Sequence, residues 1–192
     1  MKRTSIENGG TLRLVKAFTN LLMEKEYSEI SVKDIAEAAH LSRSSFYLFF
    51  ENKNALAEYL CSAFLNEYTD IMIQSLKAEY SNEAELLIMK GFLFIDRNKK
   101  TILGLWSIKT KEFSPYLIMQ DSIELIVKEW LKSNSKITVS NEENIDFYAK
   151  LYAANTIATV KWWLESKGQH TYHYIATAIC NCHNKGLRSL LL

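Results

Sequence analysis

Between Thr11 and Lys25, apolar residues fall at Leu14, Val15, Phe18, Leu21 and Leu22, the i, i+1, i+4, i+7, i+8 stripe of an amphipathic helix. The segment EYSE breaks the period. Ser31, with Asp34 three residues on, then reads as an N-cap with an acidic first turn, opening a short helix that buries Val32, Ile35, Ala36 and Ala39. Ser42 is the next N-cap, for a third short helix from Arg43 to about Phe49. Asn52 caps a long helix that runs to Lys77 without a breaker. Farther on, the pattern predicts helices at about 82–97, about 101–109, about 115–133 behind Ser114-Pro115, and about 172–185 with Gly186 as C-cap. Between the last two, Ser140 and Glu143 form a capping-box signature for a helix of about 25 residues that stops at Gly168. Strict apolar/polar alternation is almost absent, so the expected fold is all-α, about nine helices in total.

Composition agrees: one proline and six glycines in 192 residues leave little material for a loop-rich or β fold. That length suits one to two domains and buries a core without disulfides or metal. Three cysteines, Cys61, Cys180 and Cys182, are an odd count without a disulfide pattern, which fits buried thiols in a reducing compartment. The N-terminus MKRTSIENGG carries charge but no apolar stretch behind it, and no run of about 18 apolar residues occurs, so a cytoplasmic protein without a membrane partner is expected. Net charge is +1, and the eight Lys and Arg of residues 1–60 are matched by eight Asp and Glu, so any phosphate-binding face must come from placement of charge.

The second and third short helices make a helix-turn-helix candidate, in which the second of the pair enters the DNA major groove. On a wheel of about 100° per residue, Phe46 and Phe50 share one face of the third helix while Arg43, Ser44 and Tyr47 swing away. Within the Ser42-Arg43-Ser44-Ser45 run, an arginine can pair with guanine O6 and N7, and serines can bond bases or phosphates. Tyr47 can give its hydroxyl to a phosphate, and Lys53 adds a cation at the start of the next helix. Lys2 and Arg3 read either as an arm for a minor groove or as a free basic terminus.

The stretch LVKAFTNLLMEKEYSEISVKDIAEAAHLSRSSFYLFFENKNAL resembles the DNA-binding domain of the TetR family of transcriptional regulators, from Thr11 to Tyr68. The resemblance implies a helix-turn-helix domain over residues 1–55, joined by the long linker helix to a helical effector-binding and dimerisation bundle over 56–192. It implies a phosphate contact at Ser31, base reading by Arg43, Ser44 and Ser45, and phosphate contacts at Tyr47 and Lys53. Glu26 and His40 stand where the family usually has glycine, and His40 falls in a turn that often wants positive φ.

FYAKLYAANTIATVKWWLESKG, residues 147–168, resembles the penultimate helix of one branch of such regulators, whose last two long helices meet a second subunit. Phe147, Leu151, Ala154, Ala158 and Trp162 form one stripe, and with Ile175 and Ile179 of the last helix they are the expected homodimer interface. The family's effector pocket is expected among Phe92, Trp106, Phe113, Tyr116, Met119, Trp130, Tyr148 and Tyr152, which would favour an apolar or aromatic small molecule, although each alone reads first as core. The implied partners are an operator of double-stranded DNA, a second copy, and that effector, with the protein at the bacterial nucleoid when bound. The implied role is a repressor released by its effector.

Two alternatives stay open: a co-activator or adaptor acting through protein partners, and a helical small-molecule enzyme. The chain has no glycine-rich phosphate loop, nucleophile elbow or H-E-x-x-H, so no enzyme constellation supports the second. His170-x-x-His173 has a spacing that can share a metal. Cys180 and Cys182, however, point about 200° apart on a helix, so no metal site and no cofactor is expected.

Overall fold

The computed structural model describes residues 3–78, 82–133, 142–166 and 169–185. Among them lie nine α-helices and a 3₁₀ turn, Tyr27–Glu29. The helices are α1 Arg3–Glu24, α2 Val32–Ala38, α3 Arg43–Tyr47, α4 Lys53–Lys77, α5 Asn82–Arg97, α6 Lys99–Ser107, α7 Pro115–Ser133, α8 Glu142–Glu165 and α9 Tyr172–Lys185. The all-α expectation holds. The caps expected at Ser140, Gly168 and Gly186, together with Lys2, lie outside the described residues.

Helix α1 starts well before Thr11, because Gly9 and Gly10 do not stop it. A Cβ on Gly10 would lie 2.3 Å from Cζ of Phe49. The glycine is therefore a notch in the helix surface that seats an aromatic ring, and its sequence neighbourhood only imitates a break.

The chain divides into two compact units. One comprises Met1–Phe64 with Lys100–Pro115, the other Leu65–Lys99 with Tyr116–Leu192. In the first unit, Leu14, Phe18, Ile35, Phe46 and Leu56 are wholly buried. At about 1.5–3 kcal/mol for each large apolar side chain, this cluster is what holds the three short elements onto α1. Helix α6 belongs to this unit, crossing α1 where a Cβ on Gly104 would lie 3.1 Å from Cβ of Leu22. Its residues Ile102, Leu105 and Trp106 are buried. Cys61 is buried as well, and burial pushes its thiol up to about 11, which leaves it protonated and unreactive near neutral pH.

In the second unit α5 packs along α9. Phe92 of α5 lies 5.9 Å from the ring of Trp163 on α8, whose indole N–H donates to the His170 carbonyl at 2.9 Å. Lys128 and Asp146 form an ion pair that ties α7 to α8, and the Lys128 ammonium holds the Asp146 carboxyl below its ordinary range. Among the described residues, no helix is long and apolar enough to cross a membrane.

Candidate nucleic-acid interface

Helix α2 opens on the capping box that its sequence prescribes. The Ser31 hydroxyl oxygen accepts from the Asp34 N–H at 3.2 Å, and the Asp34 carboxylate accepts from the Ser31 N–H at 2.8 Å and its hydroxyl at 2.6 Å. Those two donors hold the Asp34 carboxyl below its usual value. Ser31 is exposed, with its hydroxyl already engaged in the cap.

The helix closes in a Schellman motif. The His40 N–H donates to the Glu37 carbonyl at 3.0 Å and the Leu41 N–H to the Ala36 carbonyl at 2.8 Å. Such a motif needs a left-handed residue at the first position past the cap, and His40 sits there with φ 54°. It is the non-glycine residue with positive φ among those described. The turn keeps its shape in spite of the missing glycine because two backbone hydrogen bonds and the burial of Ala39 and Ile35 fix both sides of it.

Ser42 caps α3, its hydroxyl accepting from the Ser45 N–H at 3.0 Å. The same oxygen is 2.8 Å from the Ser44 hydroxyl and 2.7 Å from that of Ser45, so the three serines form one hydroxyl cluster at the N-terminal end of the helix. Arg43 donates to the Tyr47 hydroxyl at 3.2 Å, with its guanidinium 5.7 Å from the ring centre. Underneath, Phe46 is fully buried and packs 6.1 Å from Phe50, which meets Tyr59 edge-on at 5.4 Å. Ser42, Arg43, Ser44 and Tyr47 are thus presented together on the exposed side, with Ser45 half-buried at its border.

Lys53 is turned the other way. Its ammonium donates to the carbonyls of Tyr27 at 2.7 Å, Ile30 at 2.8 Å and Ser28 at 3.4 Å, and sits 4.3 Å above the Tyr27 ring. The side chain expected on a phosphate is a clasp between α4 and the 3₁₀ turn that leads into α2. Tyr27 also donates to Asn54, and burial, with Glu58 nearby, pushes its hydroxyl up to about 12. Asn52 caps α4 by accepting from the Ala55 N–H at 2.9 Å.

Sequence reasoning missed Leu48. It directly follows α3 with helical φ and ψ of −74° and −20°, and at 83 % it is the most exposed large apolar side chain among the described residues. The wheel signal was available, since Leu48 lies about 160–200° from both Phe46 and Phe50.

The second unit contains a cavity of about 40 Å³ among α4, α5, α8 and α9. Of the eight residues expected to form a pocket, Phe92 and Tyr152 line it, joined by Tyr68, Ile71, Met72, Ser75, Leu87, Ile88, Gly91, Thr156 and Ile179. Trp106 and Phe113 belong to the first unit, Met119 is core, and Tyr116 carries the Lys161 ammonium 5.5 Å above its ring. Trp130 and Tyr148 are half-buried away from this lining, Tyr148 edge-on to Phe147 at 5.5 Å. The lining has no charged side chain, and the buried Thr156 hydroxyl has no hydrogen-bond partner among the described residues.

Helix α8 is two-sided. Ala149, Ala153, Ile157, Val160 and Leu164 are buried within the unit, whereas Phe147 and Trp162 remain more than half exposed and Ala158 is exposed. Leu151 and Ala154 are half-buried between them. Ile175 and Ile179, expected on an intersubunit face, are buried inside the unit, because α9 turns its apolar stripe towards α5 and leaves His173, Tyr174, Thr177 and Ala178 outside. His170 stacks between Trp162 and Tyr174, at 5.2 and 4.8 Å.

Residues 14–60 match the family described as bacterial regulatory proteins, tetR family, and residues 82–185 match the transcriptional regulator C-terminal region. The chain is 25% identical over 167 residues to the HTH-type dhaKLM operon transcriptional activator DhaS of Lactococcus lactis, covering 87% of this chain and 73% of that relative. Its fold is similar to that of the fatty acid degradation regulator FadR from Bacillus halodurans, with a TM-score of 0.69 at 17% identity over 93% of this chain and 96% of the other. It is also similar to that of a TetR transcriptional regulator from Streptococcus agalactiae, with a TM-score of 0.62 at 24% identity over 93% and 98%. With the family matches falling on the capped helix-turn-helix and on helices α5 to α9, the chain belongs to the TetR family of DNA-binding transcriptional regulators.

Proposed function

We propose that the protein binds a palindromic DNA operator as a homodimer, represses transcription from it, and is released by a small uncharged effector. The observation that carries the DNA reading is the sidedness of α3, with Phe46 and Phe50 anchored below and Ser42, Arg43, Ser44 and Tyr47 presented above. Arg43 reads a guanine, the serine cluster and Tyr47 contact phosphates or bases, and the capped start of α2 at Ser31 approaches the backbone. Lys53 acts here as a positioning residue for that start. The open stripe of α8, Phe147, Leu151, Ala154, Ala158 and Trp162, is the intersubunit face, extended by the outer residues of α9.

The effector occupies the cavity of the second unit. Its uncharged lining selects a mostly apolar ligand, and the Thr156 hydroxyl offers one hydrogen bond. At about 40 Å³ the cavity is far below the several hundred Å³ of an ordinary ligand site, so the effector binds a form in which the walls have separated. It shifts the population towards that form and lowers operator affinity by its differential affinity for the two states.

The test is a binding titration on the DNA upstream of the protein's own gene at fixed salt. Arg43→Ala should weaken binding by about 5- to 150-fold, the value of a bidentate base contact. Unchanged affinity sinks the operator reading. The Lactococcus lactis relative is named an operon activator, which favours activation as the second reading. Transcription from the bound promoter, raised or lowered by the protein, separates the two.

A further inference from the structure

Resting on the operator reading, we infer that Leu48 is a specificity-determining residue that packs against the C5-methyl group of a thymine in the major groove. A helix held down by Phe46 and Phe50 enters a groove with its opposite side, and the residue in the middle of that side is Leu48, about 160–200° from both anchors. Arg43, expected to swing away from the anchor face, lies only about 20–60° from the anchors on the same wheel, and its guanidinium leans onto Tyr47, so it occupies the border of the reading face.

Leu48 is 83 % exposed, while its backbone is fixed in helical geometry by its N–H bond to the Ser45 carbonyl at 3.2 Å. Its position is therefore as well defined as that of the helix, and its exposure is not the looseness of a loop. The neighbouring side chains on that face, Ser44 and Tyr47, are polar and can bond phosphates or base edges. An isobutyl group between them has no hydrogen bond to give. The base-pair edge that rewards it is the one bearing a methyl group, which the major groove shows only at thymine.

The experiment selects a binding site from a random double-stranded library with the full-length wild-type chain. Each thymine of that site is then replaced in turn by deoxyuridine, which keeps the base pair and removes only the methyl. At one thymine position per half-site, wild-type affinity should fall about four-fold, the value of burying one methyl-sized group. Leu48→Ala should bind the unmodified site more weakly by a similar factor and be indifferent to deoxyuridine at that position alone. Thermal melting of Leu48→Ala should match wild type, confirming that an exposed side chain has been removed from an intact helix. A wild type indifferent to deoxyuridine everywhere, or a Leu48→Ala protein as sensitive as wild type, overturns the inference while leaving operator binding intact. A wild type that selects no site overturns the operator reading instead.

Discussion

Lys53 separates two accounts of the same residue, and Lys53→Met tells them apart. Methionine keeps the length and the apolar stem but removes the ammonium that reaches the Tyr27 and Ile30 carbonyls at 2.7 and 2.8 Å. Hydrogen bonds to a charged group are worth about 1.5–3 kcal/mol each, and the cation over the Tyr27 ring adds about 0.5–1 kcal/mol. Against this stands the cost of drawing the ammonium out of water, the cause of the lowered Lys53 pKa. Water also refills part of the half-buried site once the ammonium is gone. The net loss works out at about 2 kcal/mol. For a chain of this length, that lowers the melting temperature by about 4–8 °C in the free protein. Circular dichroism melting without DNA measures it. If Lys53→Met melts within about 1 °C of wild type and still loses operator binding, the clasp is energetically empty and the lysine acts on phosphate directly.

Three other perturbations follow from the geometry. His40→Gly should raise stability by about 0.5–1 kcal/mol, since relief of a left-handed residue exceeds the added freedom of the unfolded chain; an unchanged or lower urea midpoint would refute this. The Asp34 carboxyl, lowered by Ser31, contributes stability that is fully present above its unfolded value and is lost as pH falls through the lower folded one. Asp34→Asn should accordingly lie below wild type at neutral pH, with the gap closing as pH falls through the lowered folded value, and a gap that stays constant across a pH series of urea midpoints would exclude an ionised cap. Gly91→Ala places a Cβ 3.5 Å from Cγ2 of Ile71, an ordinary contact, so it should stabilise α5 by about 1 kcal/mol while narrowing the cavity; a lower melting temperature would mean that the wall has no slack.

Much of the first unit was legible because its signals are local. Ser31 with Asp34, Ser42 with Ser45, and Phe46 with Phe50 each act within four residues, and each has the role its spacing implies. His40 was legible for the same reason, as a turn position with a required handedness. Lys53 was not, because its partners lie 23 to 26 residues away and a charge at a helix start reads equally as free or engaged. Trp106, Phe113 and Ile175 show the other limit. Periodicity says that a side chain is buried without saying against what, so aromatic residues grouped by sequence neighbourhood fell into two different units. The apolar stripe begins after Thr11 although α1 begins before it, because the notch at Gly10 that seats Phe49 carries no side chain for periodicity to register.

Helix α4 carries the Lys53 clasp on its first turn and Tyr68, Ile71, Met72 and Ser75 of the cavity on its later ones, all within one unbroken run from Lys53 to Lys77. Its residue count is therefore constrained in a way its individual side chains are not. Inserting or deleting a single residue between Tyr68 and Ile71 rotates Ile71, Met72 and Ser75 by about 100° relative to Tyr68 and takes them off the face they share, whichever residue is chosen. Descendants of this chain can trade one side chain for another along α4 and so drift towards new ligands. A change in residue count within those turns moves the wall itself.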